Sequence, residues 1–221
     1  LKNSKFVGLR CERDRELLGF GEVIGDPMFS LKVEVNKNIT KQKYIVLTLG
    51  LSNANVWGGM DAQFDYIKET LHFVKDVVID QLGLKVIILP LWATDIGISN
   101  VASCYLDAPI AAEYDNLNKV FAIIDKAEFV ITYKLHGMIT ALSTNTPFIG
   151  LEYRPKMRNV AKDFKCDKYV IKLDEVTKEK LYETYETLKD WDYEFVKKKK
   201  DEYSFKTSNF INKVKMEYDL K

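Results

Sequence analysis

The chain has 221 residues, enough to bury a full hydrophobic core and to form one domain or one and a half. Its 33 basic and 32 acidic residues leave a net charge of +1, so no global charge marks it for nucleic acid or a bulk membrane surface. The three cysteines, Cys11, Cys104 and Cys166, lie far apart and form no CxxC pair; that excludes a disulfide framework and a zinc knuckle and predicts buried apolar thiols in a reducing cytosol.

Lys5 to Leu9 reads as a strand, Arg13 to Leu18 as a short helix, and Val23-Ile24 as a second short apolar segment ending in Gly25-Asp26-Pro27. Arg10 closes the first strand inside a charged cluster, Arg10-Cys11-Glu12-Arg13-Asp14. The polar stretch from Lys32 to Gln42 has little periodicity and marks a boundary. Tyr44 to Leu49 is an apolar strand. The loop after it carries Gly50, Ser52, Asn53, Asn55, Trp57, Gly58 and Gly59, at spacings that match neither the Walker nor the dinucleotide fingerprint. From Ala62 to Leu82, Phe64, Ile67, Leu71, Val74 and Val78 recur at three- and four-residue steps, one face of an amphipathic helix, and Gly83 caps it. His72 falls on that helix, at its surface or at the edge of the core. Val86 to Leu89 is a strand ended by Pro90. Residues 91–112 read as irregular and contain Asp95 and Asp107. Tyr114, Leu117, Val120, Phe121 and Ile124 mark another amphipathic helix.

The most telling stretch runs from Glu128 to Arg158. A strand over Phe129-Val130-Ile131 breaks at Thr132-Tyr133 and hands over to a helix opening at Lys134-Leu135-His136-Gly137. A second strand, Pro147 to Leu151, ends in Tyr153-Arg154-Pro155-Lys156. In a parallel βαβ unit both strand ends open on the same edge of the sheet, where such folds bind ligands. One imidazole and several cations therefore converge beside a helix N-terminus, an arrangement suited to a small anion. Imidazole, with an ordinary pKa near 6.5, is the side chain best fitted to give and take a proton at neutral pH, so His136 is the acid/base candidate. Gly137 beside it reads as room for a ligand to approach the backbone. Lys156, Arg154 and Arg158 compete as anion ligands, and spacing leaves that choice open; Glu152 reads as the salt-bridge partner of a neighbouring cation. A helix from Pro155 to Phe164 and a strand at Tyr169 to Ile171 follow, with Pro155 suited to the first helical turn. From Asp174 onward the chain is charged and helical in period. Its basic run, Lys197 to Lys200, fits a solvated helix face better than a contact with anionic lipid headgroups. Alternation of buried strands with helices predicts a doubly wound, Rossmann-like parallel sheet. There is no HExxH or paired-cysteine metal pattern, so no metal is expected, and no GxSxG nucleophile elbow.

At these residues the chain resembles the polysaccharide pyruvyl transferase family. The likeness is carried by Lys134-Leu135-His136-Gly137 at a strand-to-helix turn, Tyr153-Arg154-Pro155-Lys156 after the next strand, and the run from Leu9-Arg10 through Glu16-Leu17-Leu18 to Gly25-Asp26-Pro27. Two departures stand out. The family usually starts its first helix with Arg-Asp where this chain has Cys11-Glu12-Arg13-Asp14, and it mostly has Arg where this chain has Lys134, which keeps the charge and loses the bidentate fork.

The resemblance implies a two-domain, glycosyltransferase-B-like architecture. Residues 1–40 would be the last elements of an N-terminal Rossmann-like domain plus a linker, with most of that domain preceding Leu1, and residues 41–221 the C-terminal Rossmann-like domain. It also implies transfer of a pyruvyl group from phosphoenolpyruvate to two hydroxyls of a surface-polysaccharide sugar, forming a cyclic ketal, with phosphoenolpyruvate as donor substrate and no cofactor. His136 would then be catalytic, and Arg10, Lys134, Leu135, Lys156 and Arg154 would bind substrate. The expected partners are phosphoenolpyruvate and a carbohydrate acceptor that is free or lipid-linked. No transmembrane segment is expected, and the expected location is the cytoplasm, at the inner face of the membrane if the acceptor is lipid-linked. Two alternatives remain: a sugar-nucleotide glycosyltransferase on the same fold, and a non-catalytic carbohydrate-binding derivative.

Overall fold

A computed structural model of the chain describes residues 4–31, 43–52, 59–111 and 115–219. The polar connector, residues 53–58 of the glycine-containing loop, Leu1 and Tyr114 lie outside the described residues. The chain opens with two short strands, β1 (Gly8–Leu9) and β2 (Glu22–Val23), that pair in parallel as a separate sheet around helix α1 (Glu12–Leu18).

Among the described residues the larger sheet has five strands: β3 (Tyr44–Thr48), β4 (Lys85–Ile88), β5 (Val130–Thr132), β6 (Phe148–Glu152) and β7 (Val170–Lys172). Their order is β4-β3-β5-β6-β7, and every pairing is parallel. Every residue of β3, β5 and β6 is buried. That is why these strands read as continuous apolar runs instead of alternating ones: helices cover both faces. Those helices are α2 (Gly59–Phe73), α3 (Ile96–Leu106), α4 (Leu117–Asp125), α5 (Leu135–Thr144), α6 (Lys156–Asp163), α7 (Lys178–Thr187) and α8 (Tyr193–Glu217). The chain moves outward one way from β3 to β4 and the other way through β5, β6 and β7. Strand order therefore reverses between β3 and β5, where the carboxyl ends of the strands leave a crevice. The buried Thr48 hydroxyl donates to the Thr132 hydroxyl across that seam at 2.7 Å.

Helix α8 ties the small sheet to the large one. Thr207 donates its hydroxyl to the Ile24 carbonyl at 2.7 Å, and the Tyr203 hydroxyl donates to Asp163 at 2.6 Å, the same carboxylate oxygen that accepts from the Glu12 amide. Phe29 packs against Phe164 and Tyr203 with ring centroids 5.2 and 5.8 Å away. Gly25 takes φ +85°, and a Cβ there would stand 2.7 Å from the Tyr203 ring, so only glycine lets the segment pass so close. The N-terminal segment that carries Arg10 is thereby held against α6 and α8.

Four expectations need correction. Residues 91–112 contain a three-residue 3₁₀ turn, Ala93–Asp95, and the helix α3. Gly97, Ser99, Asn100 and Ser103 lower its helix propensity and blur its pattern. Phe64 is 58% exposed, whereas Ile67, Leu71, Val74 and Val78 are buried. The buried stripe of α2 runs instead through Gln63, Tyr66, Ile67, Thr70 and Leu71. The helical segment changes to a π-helical turn over Val74–Ile79 before Gly83 ends it at φ +65°. Cys104 lies exposed on α3, while Cys11 and Cys166 are buried and burial pushes their thiols up to about 11 and about 12. Gly137 is filled from behind, as described below. The basic run on α8 is laced with acids: Lys197 and Lys200 pair with Asp201, and Lys199 with Glu202. No helix among the described residues is long and apolar enough to cross a membrane.

Candidate active site

The β5–α5 turn is built by a threonine. The Thr132 hydroxyl accepts from the Lys134 amide at 3.1 Å and donates to the Lys134 carbonyl at 3.0 Å, folding the chain sharply from strand into helix. A Cβ on Gly137 would collide with that hydroxyl. The glycine therefore lets α5 close onto β5; it does not open space for a ligand. Lys134 occupies the N-cap position of α5 and supplies no capping acceptor, so the first-turn amides lack a side-chain partner there.

Lys134 then reaches sideways to Asp95, with Nζ 2.9 Å from Oδ1; the carboxylate is fully buried and the lysine side chain 16% exposed. Burial pushes the Asp95 carboxyl above its ordinary pKa, against the pull of Lys134. Gly50, at the end of β3, makes this reach feasible: a Cβ there would stand 2.6 Å from the Lys134 Cε. Behind it runs a stack of rings, Tyr66 on Tyr133 at 5.2 Å and Tyr133 on Tyr153 at 4.6 Å. The Tyr66 hydroxyl donates to the Gly50 carbonyl.

Arg10 arrives from the small sheet. Its Nε lies 3.1 Å from Asp26 Oδ2, and the other oxygen of that buried carboxylate accepts from the Met28 amide at 3.1 Å. The pairing follows from register: Leu9 lies opposite Val23, so Arg10 emerges beside the Gly25-Asp26-Pro27 turn. Asp26 thus holds the guanidinium at Nε, and the Arg10 side chain lines the crevice.

Arg10, Lys134, His136 and Lys156 line one pocket of about 290 Å³ at the carboxyl ends of the strands, together with Leu135, Tyr153, Trp92 and Thr94. His136 is exposed and lines this pocket. Its pKa is lowered, first by desolvation and then by the Arg10 and Lys156 cations, with Asp26 opposing. That direction favours a neutral imidazole among cations at neutral pH.

The two arginines that competed with Lys156 lie elsewhere. Arg158 donates from Nε to the buried Glu152 at 2.8 Å, and from its terminal nitrogens to the Asp167 and Val170 carbonyls at 3.2 and 2.7 Å. It fastens α6 to β6 and β7. Arg154 stacks over the Tyr153 ring at 5.8 Å and does not line the pocket, whereas Lys156 sits over the same ring at 5.0 Å and does. Sequence reasoning missed Trp92 and Thr94, because both fall in the segment read as irregular. Pro90, which ends β4 on the same edge of the sheet as β5 and β6, was the available signal.

Fold and pocket together define a class: a Rossmann-like α/β protein with a cationic pocket at the switch point of a parallel sheet. The model of the family described as polysaccharide pyruvyl transferase matches residues 1–155, and the chain belongs to that family. No curated protein matches the sequence closely enough to count as a relative. Among solved structures, the S. aureus MnaA–UDP complex superposes with a TM-score of 0.57 at 15% identity, over 95% of this chain and 58% of that one. TarM superposes at 0.54 and 14% identity, over 95% and 42%. A S. aureus TarM mutant in complex with Fondaparinux, alpha-GlcNAc-glycerol and UDP gives 0.55 at 15% identity, over 95% and 43%. At these identities the likeness is one of fold, of the glycosyltransferase-B kind, and the chain spans about half the length of the structures it matches.

Proposed function

We propose that the pocket binds phosphoenolpyruvate and transfers its pyruvyl group to two hydroxyls of a sugar, giving a cyclic ketal and inorganic phosphate. The observation that carries this reading is the convergence of Arg10, Lys134, His136 and Lys156 on one pocket at the switch point. A donor with both a phosphate and a carboxylate wants several fixed cations and helix-end amides. Arg10, held from behind by Asp26, and Lys156 take the two anionic groups, Lys134 supports them from its pair with Asp95, and the Leu135 turn presents backbone amides. Arg154 contributes by holding the Tyr153 ring.

In the reaction the methylene carbon of the donor gains a proton and becomes the methyl group, and one sugar hydroxyl bonds to the central carbon. The bond from that carbon to the phosphate oxygen breaks, and a second hydroxyl takes the vacated position. One hydroxyl proton replaces the proton given to the methylene, and the other leaves with phosphate, so the sum balances without oxidant or reductant. His136 is the group that moves these protons. A bound polyanion offsets the cations that lower its pKa, so donor binding favours the imidazolium that protonates the methylene carbon. No step is assigned to a metal; Arg10, Lys134 and Lys156 neutralise the leaving phosphate.

Phosphate release from phosphoenolpyruvate in the presence of a polysaccharide digest, with mass spectrometry of the product for the ketal, tests the reading. His136→Ala is expected to lower turnover by about 10²- to 10⁴-fold while leaving phosphoenolpyruvate binding measurable. Release of nucleoside diphosphate from a sugar nucleotide, with no phosphate from phosphoenolpyruvate, would establish the glycosyltransferase alternative instead.

A further inference from the structure

The pocket has a second wall without charge. Trp92 is 59% exposed and, with the exposed Thr94, lines the pocket opposite in character to the cations. A tryptophan with that much apolar surface open beside a polar pocket calls for an occupant. Tyr153, the other aromatic residue in the lining, has its ring covered, stacked on Tyr133 at 4.6 Å and carrying Lys156 at 5.0 Å and Arg154 at 5.8 Å. Trp92 carries no such neighbour among the described residues, so its face is the one aromatic surface in this lining that a ligand can cover.

From these observations we infer that Trp92 and Thr94 form the acceptor subsite, which takes the non-polar face of a pyranose ring; the inference rests on the pyruvyl-transfer reading above. The C–H bonds on one face of a sugar are weakly positive and poorly hydrated, so they stack on the negative face of an indole and exclude water. Thr94 adds a hydroxyl that both gives and accepts a hydrogen bond, which a neutral polyol can use and a phosphate needs less than a cation. The subsite is rigidly joined to the cationic wall. Thr94 lies in the 3₁₀ turn Ala93–Asp95 and Trp92 is its N-cap: the Asp95 amide donates to the Trp92 carbonyl at 2.9 Å, and its carboxylate holds Lys134 at 2.9 Å. A sugar stacked on Trp92 therefore sits in the same pocket as His136.

The test uses the 221-residue chain and three probes, the methyl glycosides of glucose, galactose and mannose, followed by saturation-transfer NMR and indole fluorescence. Trp92→Ala is expected to weaken binding of the best glycoside about tenfold, whereas Trp92→Phe, which keeps an aromatic face, stays within about threefold of wild type. Phosphoenolpyruvate affinity should be the same in all three proteins, which also shows that the variants are folded. The inference is overturned if Trp92→Ala binds the glycosides as tightly as wild type, or if none of them binds the wild-type chain. Phosphoenolpyruvate tests the catalytic reading separately: failure to bind the wild type sinks that reading, while the glycosides still decide the role of Trp92.

Discussion

Two buried ion pairs stand at the ends of neighbouring strands, and they show what separates a structural cation from a functional one. Beyond β6, Arg158 meets Glu152 and two backbone carbonyls, so every nitrogen of its guanidinium is engaged and the side chain stays out of the pocket. Beyond β5, Lys134 meets Asp95 as its one ion-pair partner among the described residues and still lines the pocket. Both carboxylates are buried, yet one pair closes a gap between elements while the other holds a cation at the edge of a ligand site. Burying a charge is a net cost unless its hydrogen bonds are complete, so the incomplete pair is the one to examine for function.

Removing the complete pair should have the largest effect. Arg158→Met strands Glu152 and two carbonyls and should cost about 3–5 kcal/mol in a denaturant titration. Phosphoenolpyruvate affinity per folded molecule should be unchanged. Lys134→Met should cost less, because the Asp95 carboxyl, whose pKa burial has already raised, can take up a proton in place of its lost cation. It should weaken phosphoenolpyruvate binding as well. Equal affinity losses in both variants would erase the distinction drawn here.

Next in size come the cations with no buried role. Lys156 pairs with no carboxylate among the described residues and sits over Tyr153, so Lys156→Gln should leave stability within about 0.5 kcal/mol of wild type. The loss of a charge-assisted contact should weaken phosphoenolpyruvate binding by about 1.5–3 kcal/mol, read by calorimetry. A large loss of stability with unchanged binding would move Lys156 into the same group as Arg158.

The comparison also explains what was legible beforehand. The parallel sheet is legible because its central strands are uninterrupted apolar runs, and the edge rule for such sheets places Lys134, His136 and Lys156 together from sequence alone. Whether Lys156, Arg154 or Arg158 faced the ligand could not be read, since it depends on Glu152 and the carbonyls of residues 167 and 170 reaching Arg158. Spacing alone does not encode those contacts. Helix α3 escaped because its polar and β-branched residues weaken its propensity, and with it went Trp92 and Thr94. Gly137 was misread for a related reason: a glycine beside a histidine suggests space, and only the position of the Thr132 hydroxyl shows that the space is filled.

The smallest expected effect is a titration. In the free protein, desolvation and the Arg10 and Lys156 cations lower the His136 pKa below 6.5, with Asp26 opposing them. Lowering in the folded state means the unfolded chain binds more protons as pH falls through this range. The corresponding stability is present above pH 6.5 and is lost on acidification through the folded-state pKa. Proton NMR of the imidazole should place the wild-type midpoint below 6.5, and Lys156→Gln should move it upward by removing one of the lowering charges. Phosphoenolpyruvate, added to wild type, should move it upward as well, because its negative charges oppose the same cations. An unchanged midpoint on donor binding would mean that the anion does not sit beside His136, and the acid/base role would pass to another group, while a shift in the Lys156→Gln protein alone would still place the lysine and the histidine in one field.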